Sequence, residues 1–104
     1  MTAHLEYTVD GQHHEILLQK VDTFIGRSPD CELQLLHDAE LSRVHCSVQR
    51  QSDGSFVVVD ESSKNGTYLN GERVIKEELA LTDGDEIRIG HTILTFREAD
   101  IGRT

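Results

Sequence analysis

No stretch of this sequence approaches the roughly 20 consecutive apolar residues that a membrane-spanning helix requires, so no membrane insertion is expected. No basic run occurs either. Ten Lys and Arg are scattered against nineteen Asp and Glu, for a formal net charge of −9. A surface of that sign repels nucleic acid and anionic lipid unless cations are gathered locally, so no nucleic-acid partner is expected. The first residues, MTAHLEYTVD, lack the basic start and apolar run of a signal peptide. Cysteine is scarce. Cys31 and Cys46 do not make a disulfide framework, and each lies in or next to an apolar segment, where a free thiol packs as a small hydrophobe. A reducing, intracellular (cytoplasmic) location is the simplest expectation.

Helical periodicity is also missing. Residues 76–81 leave room for a single turn before Thr82-Asp83-Gly84, and no other window offers more. What the chain has instead is a rhythm of short alternating runs broken by Asp-Gly and Asn-Gly pairs: Asp10-Gly11, Asp53-Gly54, Asn65-Gly66, Asn70-Gly71 and Asp83-Gly84. Such pairs adopt positive φ at little cost and mark turns. Leu5, Tyr7 and Val9 alternate with polar residues, as do Ile16 and Leu18, and Val44, Cys46 and Val48 share one strand face while Ser47 and Gln49 take the other. Residues 21–25, 56–59, 67–69, 74–75, 87–89 and 92–96 are further strand-like runs, with 56–59 rich in β-branched residues. Many short strands with turns every eight to twelve residues predict an all-β sandwich or barrel. The chain's 104 residues, 37% of them hydrophobic, fit one folded domain. It carries no internal repeat, linker or low-complexity segment, its core runs from about residue 5 to 97, and from about Ala99 the end reads as frayed.

Three loops, at 26–30, 36–43 and 61–66, are longer or chemically richer than a hairpin needs, and function in a sandwich usually lives on loops at one end. They bring Arg27, Ser42, Arg43, Lys64 and Asn65 together with further hydroxyls. That inventory suits a phosphate ester on a peptide. Arginine offers a fork of N–H donors with a permanent charge. A hydroxyl donates to another phosphate oxygen, lysine adds a point charge, and an Asn amide both donates to and accepts from a peptide backbone.

Four pieces then carry a resemblance. GRS at 26–28, SRVH at 42–45, SSKNGTYLNG at 62–71 and LTDGDEIRIG at 81–90 resemble the forkhead-associated (FHA) domain, in that family's order and at its spacing. No single piece is specific, but four in sequence are. The resemblance covers about residues 23–96. It implies a β-sandwich of two sheets, antiparallel or mixed, with about eleven short strands, that binds phosphothreonine peptides of a Ser/Thr kinase pathway through loops at one end. On the matching positions, Arg27 and Ser42 hold the phosphate, Arg43 contacts phosphate or peptide backbone, and Asn65 hydrogen-bonds the peptide main chain. Gly26, His45, Gly66 and Thr67 shape the loops. Lys64 stands where the family often has a threonine that touches the phosphothreonine, and is counted with the phosphate contacts. Glu40 is a candidate to line the position three residues after the phosphothreonine, where it disfavours an acidic side chain.

Read singly, these residues are ordinary. Arg27 and Arg43 are solvated loop charges, Ser42 caps a turn, and His45 is a hydrogen-bonded structural residue. Cys31, His37, His45 and Cys46 match no zinc spacing, and Asp83 and Asp85 lack the further ligands of a calcium loop. No metal or other cofactor is expected. His13-His14 reads as an exposed pair on a strand. Asn65-Gly66-Thr67 matches a glycosylation sequon and is better read as a tight turn. No nucleophile elbow, GxxxxGK loop or HExxH is present, so no enzyme is expected. The rival to a phosphothreonine reader is a phospho-independent interaction or scaffolding domain that uses a sheet face.

Overall fold

The computed structural model describes residues 2–75 and 77–99. Eleven strands and no helix occur among them: β1 (Thr2–Val9), β2 (Gln12–Leu17), β3 (Asp22–Gly26), β4 (Leu33–Gln34), β5 (Cys46–Arg50), β6 (Phe56–Asp60), β7 (Thr67–Leu69), β8 (Glu72–Val74), β9 (Leu79–Leu81), β10 (Glu86–Ile89) and β11 (Thr92–Ala99). They form a six-stranded sheet in the order β2-β1-β11-β10-β7-β8 and a five-stranded sheet in the order β4-β3-β5-β6-β9. Every pairing is antiparallel except β3 with β4. The expected all-β sandwich, antiparallel with one mixed sheet, is the architecture observed.

Alternation along the strands supplies the core. Leu5, Ile87, Ile89, Leu94 and Phe96 point inward from the six-stranded sheet, and Ile25, Cys46, Val48, Phe56 and Val58 from the other; all are buried. The rings of Phe56 and Phe96 meet across the interior at 5.5 Å between centroids. Burying such side chains contributes roughly 1.5–3 kcal/mol each. The Asp-Gly and Asn-Gly signals act as turns. Asp10 and Gly11 have φ of 49° and 79°, and Asn70 and Gly71 have 49° and 88°. Positive φ at both central residues of a two-residue loop is the turn whose twist matches that of a hairpin.

The strand expectations need five corrections. Val21 lies before β3 and is exposed. Val44 lies before β5 and is 37% exposed, and Ile75 lies beyond β8 and is 72% exposed. Of the expected turn at 76–81, position 76 lies outside the described residues, and Leu79–Leu81 is a strand paired to β6. Tertiary pairing there overrides a weak local preference. Strand β4 goes unread because two residues paired in parallel leave no periodic pattern. Of the expected fraying from about Ala99, Ala99 itself pairs with Thr2 at the end of β11, and residues 100–104 lie outside the described ones.

Register fixes where the rich loops emerge. Ile25 pairs with Cys46, and Cys46 pairs with Asp60. The exit of β3, the entry to β5 and the exit of β6 therefore share one end of the five-stranded sheet. Loops 27–32, 35–45 and 61–66 leave from that end.

Candidate functional site

The first wall of the site is a backbone zipper. The amides of Arg27 and Ser28 donate to the carbonyls of Ser42 and Arg43, at 3.1 and 2.9 Å, and the His45 amide donates to the Ile25 carbonyl at 2.8 Å. This clamps the segment that carries Arg27 to the one that carries Ser42 and Arg43. The clamp needs Gly26. A Cβ there would lie 2.2 Å from the Arg43 carbonyl oxygen and 2.9 Å from that of Ser42. Gly26→Ala is therefore expected to destabilise the domain by about 1–3 kcal/mol, the usual cost of overpacking, and to spread Arg27 from Ser42. Urea unfolding with peptide titration checks this, and wild-type values for both would refute it.

The second wall hangs on His45, which is fully buried. Its Nδ1 accepts the Ser42 amide at 3.0 Å and its Nε2 donates to the Gly66 carbonyl at 2.8 Å. An amide N–H can only donate, so Nδ1 must carry the lone pair and Nε2 the hydrogen. One ring thus ties loop 35–45 to loop 61–66. Two more contacts cross the same seam. The Ser42 Oγ accepts the Lys64 amide at 2.9 Å, which leaves its hydroxyl hydrogen to donate outward. Asn65 Nδ2 donates to the Glu40 carbonyl at 2.8 Å and reaches the Glu40 carboxylate at 3.4 Å.

Loop 61–66 is braced from beneath by Asp60. Its Oδ1 accepts the hydroxyls of Ser63 and Thr67, both at 2.6 Å. The Ser63 Oγ in turn accepts the Gly66 amide at 2.9 Å. Gly66 holds φ of 90°, a conformation that side chains strain to adopt. Thr67 is buried. Loop 35–45 is stapled to the other sheet by Asp38, which accepts the Glu40 amide at 3.0 Å and both the His91 amide and the Thr92 hydroxyl at 2.7 Å. Burial pushes the Asp38 carboxyl up, but the Thr92 hydroxyl and the His91 and Glu40 amides outweigh it and hold the group below its ordinary range. Asp38 escapes a reading of the sequence, since its partners His91 and Thr92 lie on the other sheet and no motif marks it. Asp60 and Ser63 bond only three to seven positions away, Ser63 within the SSKNGTYLNG stretch, yet their bracing role shows only in the folded loop.

Arg27, Ser42, Arg43, Lys64 and Asn65 come together around one concavity of about 390 Å³, with Ala39, Glu40 and Leu41 completing it. Gly26, His45, Gly66 and Thr67 are buried behind it. Arg27, Arg43 and Lys64 are exposed. Among the described residues no carboxylate lies within 4 Å of any of the three, whereas Lys20 and Arg97 pair with Glu32 and Glu6. Three cations without counter-ions among the described residues, a hydroxyl free to donate and a fixed amide, on a chain of charge −9, have the chemistry to receive an anion. Cys31 and Cys46 are buried, unpaired and held above the ordinary thiol range by burial, so neither supplies a reactive thiolate.

Residues 23–90 match the model of the FHA domain. The chain is similar to the oxoglutarate dehydrogenase inhibitor of Corynebacterium diphtheriae, 45% identical over 82 residues, which is 79% of this chain and 54% of that protein. It spans about half the length of the curated relatives it matches. Among solved structures it resembles one from work on phosphothreonine-dependent FHA domain interactions, with a TM-score of 0.86 and 29% identity over 97% of this chain and all of that one. It also resembles the N-terminal FHA domain of S. cerevisiae Rad53p in complex with a phosphothreonine peptide, with a TM-score of 0.80 and 27% identity over 93% of each chain.

Proposed function

We propose that this chain, which belongs to the FHA domain family, is a phosphothreonine-dependent binding module that recruits proteins phosphorylated by a Ser/Thr kinase and performs no catalysis itself. The observation that carries the reading is the convergence, on one concavity, of three cations without counter-ions among the described residues and a Ser42 hydroxyl free to donate. A phosphate ester brings close to two negative charges and three acceptor oxygens. In this scheme the Arg27 fork and the Ser42 hydroxyl take the phosphate, with Arg43 and Lys64 adding charge. Asn65 Nδ2 is engaged by Glu40, through its carbonyl and at longer range its carboxylate, and the Asn65 side-chain carbonyl serves the peptide main chain. The Glu40 carboxylate, beside Asn65, disfavours an acidic residue three positions after the phosphothreonine. Residues 1–104 act as one domain, within the cell, where its two buried thiols stay reduced.

Each charge-assisted bond contributes on the order of 1.5–3 kcal/mol. Three or four, less the ordering of a flexible peptide, give roughly micromolar affinity. The acidic remainder of the surface is screened beyond about 8–10 Å, so the local cations decide. The test is a titration of the domain with phosphothreonine peptides and their unphosphorylated forms, followed by NMR amide shifts. Phosphate-dependent shifts at Arg27, Ser42 and Asn65 are expected. Equal binding of both forms, or no shifts at millimolar phosphopeptide in a folded sample, would transfer the function to a sheet face and a phospho-independent partner.

A further inference from the structure

Away from those loops, the outer face of the six-stranded sheet carries a cluster that the phosphothreonine reading leaves unused. Strands β1 and β2 pair with Glu6 directly opposite Glu15 and Thr8 opposite His13. Two carboxylates in that relation repel, and the residues around them are arranged to offset it. His4 Nε2 lies 2.8 Å from Glu6 Oε2 and 3.8 Å from Glu15 Oε1. His13 Nε2 lies 3.1 Å from the other Glu15 oxygen, Oε2. Arg97 Nε sits 3.5 Å from Glu6 Oε1, which turns Oε2 toward His4.

We propose that His4, Glu6 and Glu15 form a site for a divalent transition ion of the zinc type. Their ligand atoms all lie within 4.8 Å of one another. An ion bonded at 2.0–2.2 Å needs tetrahedral ligands about 3.4 Å apart, and the His4 separations of 2.8 and 3.8 Å bracket that value. The ion takes the place between the imidazole and the two carboxylates. Two carboxylates neutralise its charge, and an imidazole nitrogen favours zinc or a neighbouring ion over calcium or magnesium. His13 holds the second oxygen of Glu15 and acts as a positioning residue. His4 and Glu6 side chains are 24% and 25% exposed and Glu15 is 54% exposed, so an ion has an entry path and a fourth position open to water. Such a site is weaker than a closed four-ligand one, with a Kd on the order of micromolar. The ion would clip β1 to β2 and raise the unfolding midpoint by mass action.

Calorimetric titration of the 104-residue chain with zinc chloride, in a buffer that does not bind metal, tests this. One ion per chain is expected. His4→Ala and Glu15→Gln should each weaken it by at least about tenfold and His13→Ala by less, as loss of a supporting contact does. Phosphopeptide affinity should stay unchanged in all three, so failure here is separable from failure of the phosphate site. Zinc added to the wild-type domain should move the amides of His4, Glu6 and Glu15, a readout that needs no variant. No stoichiometric binding at millimolar zinc, affinity untouched by both His4→Ala and Glu15→Gln, or shifts centred instead on His37 and His91 would each overturn the proposal and leave the cluster as ordinary His–Glu ion pairs.

Discussion

Arg27→Ala is expected to weaken binding of a phosphothreonine peptide by roughly a hundredfold or more while leaving the domain folded. Arg27 is exposed, has no counter-ion among the described residues, and engages the rest of the domain through its backbone, whose amide donates to Ser42 and whose carbonyl accepts from Gln34 at 3.1 Å. Truncation removes none of those bonds, so an unfolding midpoint near wild type is expected. In the proposed complex the guanidinium would supply two charge-assisted bonds to the phosphate. Losing them costs about 3 kcal/mol or more, which moves a micromolar Kd into the submillimolar range. Arg27→Lys keeps the charge and loses the fork, so an intermediate affinity is expected. Calorimetry with one phosphopeptide, and urea unfolding of all three proteins, checks both halves. An Arg27→Ala variant that binds like wild type would remove the phosphate site from this concavity.

His45→Ala should fail in the opposite way, through the scaffold. The ring is fully buried, and its two nitrogens satisfy the Ser42 amide and the Gly66 carbonyl. Alanine leaves both without a partner, at about 1–3 kcal/mol each, and opens a cavity where the ring stood. A total of about 3–5 kcal/mol is expected, a large share of the roughly 5–15 kcal/mol that holds a domain of this size. The midpoint of thermal unfolding should fall by on the order of 15–30 °C. Affinity should drop in the fraction that remains folded, because Ser42 and the 61–66 loop lose their common tie. A variant within 1 kcal/mol of wild type would mean that the backbone zipper alone sets the seam, a threshold near the scatter of ordinary surface substitutions.

The two variants separate what a residue contacts from what it holds in place, and that difference tracks what is legible in the chain. Arg27, Ser42 and Asn65 are visible because they stand in short stretches, GRS, SRVH and SSKNG, whose local chemistry already suits an anion. Strands such as β1 and β11 are visible because a half-buried strand must alternate. Asp38 is not visible. Its partners, His91 and Thr92, lie more than fifty positions away, and a lone aspartate in a loop carries no signal of what it will accept. Val44 and Ile75 extend apolar runs that local preference reads as strand, yet each falls beyond the last ladder bond and stays exposed.

Taken alone, the order of residues determined the β class, the turns at Asp10-Gly11 and Asn70-Gly71, and the side chains fit for a phosphate, since these depend on neighbours a few positions apart. Tertiary structure decided which loops meet. Ile25 had to pair with Cys46, and Cys46 with Asp60, before Arg27, Ser42 and Asn65 could share one rim. The same holds for the face that places Glu6 against Glu15. Register is set by packing a whole strand against the core, where a slip of one residue turns every side chain to the wrong face. No short window of sequence contains that constraint.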